Sequence, residues 1–275
     1  MRRALISFLI CSIAVFAPAA SRSQASCTAP SADCVVVGEW DLSLSLGLGE
    51  RSNPVSGASD IPLVVLPQIS YYGKRFFLEN LDLGVTLHED ATNTINLLAT
   101  PGYDRVFFVR DDPQNYFVTS ASGALSAPNP ALEEVTSRPR RTTYLTGLEW
   151  LFRVGRFAGQ FDALYEATGR HKGYELRGAL AAPLVQSESS LVLNVGFTWK
   201  SAELVRYYYG MDDVYRPDAA FNPFVKLGLS RALGERLTLN AFAHYEHLSD
   251  EIANSPIVVD HGVLTVFAGV IYKIF

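Results

Sequence analysis

The chain has 275 residues, 48% hydrophobic, 12% aromatic and 19% charged, with a formal net charge of −5 at pH 7. That length admits one large domain or two small ones, and an acidic chain with no basic cluster excludes nucleic acid as a partner. Mean hydropathy is +0.12, yet beyond the N-terminal segment no apolar run reaches the roughly 18–20 residues of a membrane-spanning helix.

The first 25 residues read as a secretory signal. Arg2 and Arg3 form a basic start, ALISFLICSIAVFA an apolar stretch, and Ala17-Pro18-Ala19 and Ser23-Gln24-Ala25 offer small-residue cleavage sites. The alternatives are a bare membrane anchor, for which the run is short, and a lipid-modified Cys11, which would leave too little apolar sequence before it. Cleavage takes Arg2, Arg3 and Arg22 and no acid, so the 23 basic residues fall to 20 against 28 acidic ones. Exported protein is therefore expected to begin between Ser21 and Ser26, as intact mass will show; a mass retaining Met1 to Ala14 would defeat this reading. Residues 26–37 are expected to form an N-terminal periplasmic segment. Its Cys27 and Cys34 could close a small loop in an oxidising compartment or stay as two free thiols.

From Glu39 the chain alternates. Trp40, Leu42, Leu44, Leu46 and Leu48 are apolar, while Glu39, Asp41, Ser43, Ser45 and Gly47 are polar or small. A period of two makes a strand with one wet and one apolar face. A soluble sandwich gives the same pattern, so one strand decides nothing. The pattern returns in 156–166, 190–200, 221–231 and 236–246, each about ten residues, the length a tilted strand needs to cross a bilayer. No helical period is apparent after the leader. Trp40, Tyr71, Tyr72, Tyr144, Trp150, Phe152, Tyr165, Trp199 and Tyr272 fall near segment ends, as an interfacial girdle requires.

The linkers alternate in length as well. Short ones fall at 72–74, 154–156, 184–189 and 233–235, and long ones at 50–60, 111–140, 201–220 and 249–262. Outer-membrane barrels have short periplasmic turns and longer outer loops. With the 39–49 strand running outward, strands near 93–100 and 142–153 run inward, and Gly102–Arg110 must run outward between them, though Asp104, Arg105 and Arg110 interrupt it. The expected fold is all-β: a closed antiparallel transmembrane barrel of about twelve strands over residues 38–275, with no open edge.

Along the inward face the alternation places Glu39, Asp41, Glu149, Asp162, Glu166, Glu175, Arg177, Lys200, Lys226, Arg236 and Glu246. A pore would use such charges to tune selectivity. A filled barrel would pair them, and the inward Leu164 and Phe242 favour a filled or narrow lumen. His88, His171, His244, His247 and His261 are expected on the outer half, as rim residues rather than metal ligands, since no spacing supports a site. His247 with Ser249 and Asn254 nearby is the one group that could model a rim hydrolase. The lone-rim reading of His247 is preferred, and no catalytic residue, metal or cofactor is assigned.

Phe275, closing an amphipathic strand with Tyr272 three residues before it, resembles the assembly signal of bacterial outer-membrane barrels, whose usual form has the earlier aromatic two residues before the end. PQISYYGKRFFLENLDLGV (67–85), RYYYGMDD (206–213) and NSPIVVDHGVLTVFAGVIYKIF (254–275) together resemble the MipA/OmpV (MltA-interacting protein) family. The resemblance covers about residues 38–275, except 101–141. It implies an outer-membrane barrel of a Gram-negative envelope, non-enzymatic, with a scaffold or envelope-maintenance role. Its implied partners are outer-membrane lipid, the barrel-assembly machinery and, through one family member, a murein hydrolase and a murein synthase. A narrow diffusion channel is the second reading and a rim-located lipid-modifying enzyme the third.

Overall fold

The computed structural model describes residues 37–108 and 140–274. The leader, Cys27, Cys34 and Phe275 lie outside the described residues, so the disulfide and assembly-signal expectations are not addressed by it.

The alternating segments become β1 (Trp40–Arg51), β2 (Ile61–Tyr72), β3 (Phe76–Glu79), β4 (Asp82–Glu89), β5 (Asn93–Pro101) and β6 (Tyr144–Val154). The ring continues with β7 (Phe157–Glu166), β8 (Tyr174–Gln186), β9 (Ser189–Lys200), β10 (Ala220–Ala232), β11 (Leu237–His247) and β12 (Gly262–Lys273). Each strand pairs antiparallel with its neighbours, and β12 pairs back onto β1 from Ser43↔Lys273 to Arg51↔Thr265, closing a twelve-stranded barrel. Closure gives every strand two neighbours, which hydrocarbon demands because it offers backbone groups no water.

The strand number agrees with the sequence reading, but two assignments behind it do not. The stretch 76–89 is two strands, and 102–110 is not one, so β5 runs outward where an inward strand was expected. The hairpin between β3 and β4 turns at Asn80, which adopts φ 55°, a left-handed conformation that Asn tolerates better than most residues. Asn80 also replaces the ladder where β3 stops. Its N–H donates to the Ile69 carbonyl at 2.7 Å, and its Oδ1 accepts the Ile69 N–H at 3.0 Å. The next position of β2 facing that side is Pro67, which has no N–H to leave unpaired.

After β5 the chain turns into the lumen as a 3-10 helix, Tyr103–Phe107, with Asp104, Val106 and Phe107 buried. The charges that interrupted the strand pattern explain this: as a lipid-crossing strand the segment would set Asp104 or Arg105 against hydrocarbon, at a cost of several kcal/mol. Two short helices follow later, α1 (Ala202–Tyr209) and α2 (Asp250–Ala253), where no helix was expected.

The outward face carries an exposed apolar band including Leu46, Val85, Leu97, Leu148, Val195, Leu227 and Val266. Exposed Trp40, Phe76, Trp150 and Tyr272 lie toward the short-turn end, and exposed Tyr144, Tyr165, Tyr174, Phe221 and Tyr245 toward the long-loop end. Trp150 donates its indole N–H to Asn93 Oδ1 at 3.1 Å, tying the girdle to the β4–β5 turn. The turn itself is capped by Asp90, whose Oδ1 accepts the backbone N–H groups of Thr92 and Asn93, each at 2.8 Å. Those bonds hold its carboxyl well below the usual carboxylate range.

Candidate functional site

The two ends of the lumen differ. At the long-loop end the 3-10 helix, α1, α2 and the β1–β2 loop converge on one apolar cluster. It contains Val55, Val106, Phe107, Leu204, Val205, Tyr208, Tyr209, Ile252 and Ile257, all buried. Helix α1 is suited to this place. Leu204, Val205, Tyr208 and Tyr209 recur at the one-and-four spacing of a single helix face. Ser255 Oγ donates to the Tyr209 carbonyl at 2.6 Å, which joins α1 to the chain after α2. Asn53 Nδ2 donates to the Phe107 carbonyl at 3.1 Å, and the Arg51 guanidinium lies 4.6 Å from the Phe107 ring centre. These contacts bind the 3-10 helix to the top of β1.

Beneath the cluster sits a buried ionic latch. Lys200 Nζ lies 2.6 Å from Asp104 Oδ1, with the two side chains 10% and 2% exposed. The Tyr209 hydroxyl donates to the same oxygen at 2.7 Å. Desolvation and the Asp104 charge both push the Tyr209 hydroxyl pKa far above its usual value, so it stays a donor. In the adjoining β7–β8 loop, His171 packs beside Tyr207, with ring centres 5.5 Å apart. Burial holds its imidazole pKa below the usual value, against the raising pull of Glu166.

Deeper still, the wall is polar and cross-linked. Arg177 Nε pairs with Glu175 at 2.6 Å. Asn96 Nδ2 donates to Glu149 at 2.6 Å, and Gln160 Nε2 donates to Glu149 at 3.2 Å and to Asp162 at 3.0 Å. Asn222 Nδ2 donates to Glu246 at 3.0 Å. Toward the short turns the lumen widens into a cavity of about 490 Å³, walled by Thr94, Leu151, Arg153, Ala158, Gln160, Ala179, Ala181 and Asn194, with the turn Glu89–Asn93 at its rim.

Of the inward charges expected from the alternation, the structure brings Glu149, Asp162, Glu175 and Arg177 together in mid-lumen and Lys200 into the latch. Glu246 bonds Asn222, and Asp41 pairs with Lys273 at 2.6 Å near the short-turn rim. Lys226 lies 5.0 Å from the Phe242 ring centre. Glu166 is buried and caps the β7–β8 loop, accepting N–H groups from Thr168, Arg170, His171 and Lys172. Glu39 and Arg236 differ: both are exposed and lie just outside β1 and β11, where the alternation no longer fixes a side.

His88 also departs from expectation. It sits on β4, 3.3 Å from Asp90, at a short turn rather than on the outer half, because β4 runs inward. His247 is exposed, and among the described residues no hydrogen bond joins it to Ser249 or Asn254. Asp104 and Tyr209 were given no role in the lumen by the sequence pattern. The signal for Asp104 was its intrusion into an otherwise apolar stretch.

The family described as MltA-interacting protein MipA matches residues 44–274. The chain belongs to the MipA family. YiaT of Escherichia coli (strain K12), whose name places it in the outer membrane, is 22% identical over 242 residues, covering 85% of this chain and 91% of YiaT. The MltA-interacting protein of the same organism is 22% identical over 261 residues, covering 86% of this chain and 91% of that protein. Among solved structures, the COG4313 outer membrane channel from Pseudomonas putida F1 superposes with a TM-score of 0.42 at 13% identity, covering 89% of this chain and 99% of the channel. This MipA-family member is thus an outer-membrane β-barrel. Its long loops, which carry the apolar cluster, face outward, and its short turns and cavity face the periplasm.

Proposed function

We propose that this barrel is a closed scaffold in the outer membrane, engaging envelope proteins rather than passing solutes or catalysing a reaction. The supporting observation is the apolar cluster at the long-loop mouth, where Val106, Phe107, Leu204, Val205, Tyr208 and Tyr209 pack together to 0–6% exposure, as a seal would require. A diffusion path needs a continuous wet route. Fully burying each such side chain stabilises by about 1.5–3 kcal/mol, so the seal is held by far more than thermal energy. The E. coli relative is named for interaction with MltA. By that likeness the favoured partners are murein-remodelling enzymes, reached through the periplasmic rim, alongside lipid and the barrel-assembly machinery. A narrow channel is the second reading, favoured by the cavity below the seal.

Two measurements separate these readings. Cross-linked protein captured from envelope membranes is expected to enrich a murein hydrolase or synthase over an unrelated barrel of similar abundance. Purified protein in a planar bilayer is expected to show no steady conductance. Open-channel conductance together with no enriched murein enzyme would overturn the scaffold in favour of the channel.

A further inference from the structure

We propose that the outer tip of the β7–β8 hairpin is a docking site for a phosphorylated glycolipid of the outer leaflet. The loop is built around one occupied carboxylate. Glu166 is 1% exposed and accepts the backbone N–H groups of Thr168, Arg170, His171 and Lys172 at 2.7–3.1 Å. Those bonds fix the course of the loop, including Lys172 at φ 54°. Arg170 and Lys172 are exposed, and among the described residues no ion pair takes either.

A second observation points to an acceptor from outside. His171, between the two cations, is 8% exposed. Its Nδ1 accepts the Gly173 N–H at 3.0 Å, so the neutral ring carries its proton on Nε2. That buried donor has no acceptor among the described residues, although buried polar atoms are rarely left unpaired. Arg141 adds a third exposed cation nearby. Its backbone N–H donates to the Tyr207 hydroxyl at 3.0 Å, and Tyr207 is the ring packed beside His171. One exposed carboxylate, Glu203 in the first turn of α1, acts on His171 and offsets one of the three charges. The balance stays positive.

The surroundings select the anion. At the base of the loop, on the lipid face, Tyr165 and Tyr174 pair across β7 and β8 with ring centres 4.9 Å apart. Tyr144 joins them from β6, where its carbonyl accepts the Ala167 N–H at 2.8 Å. The three side chains are 36–54% exposed and stand where hydrocarbon gives way to headgroups. A soluble phosphate has no use for that platform. A glycolipid does, since its sugar and upper acyl surface can lie on the rings while its phosphate meets the guanidinium and ammonium groups. Two other outer segments disfavour an anion: 248–261 carries Asp250, Glu251 and Asp260 with no Lys or Arg, and 201–219 carries four acids against two arginines. The positive edge is thus local to this hairpin. The site depends on the barrel's outward placement and not on the scaffold reading.

Native mass spectrometry of the full exported chain in detergent, titrated with diphosphoryl lipid A, tests this. A tightly held lipid is expected on each barrel. Its affinity should fall roughly tenfold or more in the double variant Arg170→Gln with Lys172→Asn, as the loss of two near-surface cations warrants; asparagine tolerates the left-handed position. Tyr174→Ala is expected to weaken binding severalfold, and both variants should keep the heat-modifiable gel shift of the folded barrel. Arg216→Gln removes a cation from another outer loop and is expected to leave binding unchanged. Inorganic phosphate in large excess is expected not to displace the lipid. No bound lipid, wild-type affinity in either folded variant, an equal loss in Arg216→Gln, or displacement by inorganic phosphate would overturn the site.

Discussion

Asp104→Leu is expected to lower the stability of the folded barrel by about 3–5 kcal/mol, the usual cost of removing one partner from a buried ion pair. Lys200 would keep its charge where its side chain is 10% exposed, and the Tyr209 hydroxyl would lose its acceptor. The measurement is the temperature or denaturant concentration at which the heat-modifiable gel shift disappears. The double change Asp104→Leu with Lys200→Met should recover most of the loss, because it leaves no charge uncompensated. A single variant as stable as the parent would mean that the pair is not a latch. The same magnitudes decide what the latch does not do. Leu204, Val205, Tyr208 and Tyr209 together bury enough to contribute about 6–12 kcal/mol as an upper bound, more than the pair. Asp104→Leu should therefore loosen the barrel without opening it. Conductance should appear only when residues 202–209 are replaced by a short Gly-Ser linker, which removes the apolar face itself.

The barrel wall was legible in the sequence because its physics is repetitive. Ten-residue alternation, short and long linkers and aromatic ends all follow from one constraint, a sheet with lipid on one side. The filling of the lumen was less legible because it obeys no period. The α1 helix has eight residues, too few to establish a helical repeat against the neighbouring strands, although the pairs Leu204-Val205 and Tyr208-Tyr209 mark its buried face. The β3–β4 turn was missed for a similar reason: Glu79-Asn80-Leu81-Asp82 interrupts the alternation briefly, and a left-handed Asn looks the same in sequence as an extended one. Those two errors offset each other in the strand count. The offset shows that an even total is a weak check on individual strands, whereas the charges in 102–110 were a sound reason to doubt one. For the lumen, alternation gave the side each residue faces, but the pairing of Asp104 with Lys200, 96 positions apart, is a tertiary fact.

The lipid face can be tested at adjacent positions on one strand. Leu227 lies near the middle of β10, beside Leu193 of β9 and Ala243 of β11, and is 41% exposed on the outward face. Leu227→Arg sets a guanidinium near the membrane midplane, and a loss of about 2–4 kcal/mol is expected for folding into lipid. Gly228, the next residue, faces inward, and a Cβ built on it meets nothing within 4 Å. Gly228→Arg places the same group on the inward face, in open space rather than against hydrocarbon, so a much smaller loss is expected despite the added bulk. Leu46→Arg, on the opposite side of the closing β1–β12 seam and 53% exposed, should behave like Leu227→Arg. The readout is the denaturant dependence of folding into vesicles, followed by tryptophan fluorescence and the gel shift. Equal losses for Leu227→Arg and Gly228→Arg would mean that the two faces of β10 do not see different solvents, and the register of the barrel would have to slip by one residue. A one-residue slip would turn Lys226 toward lipid and Leu227 into the lumen, which the period-two chemistry of the whole strand opposes.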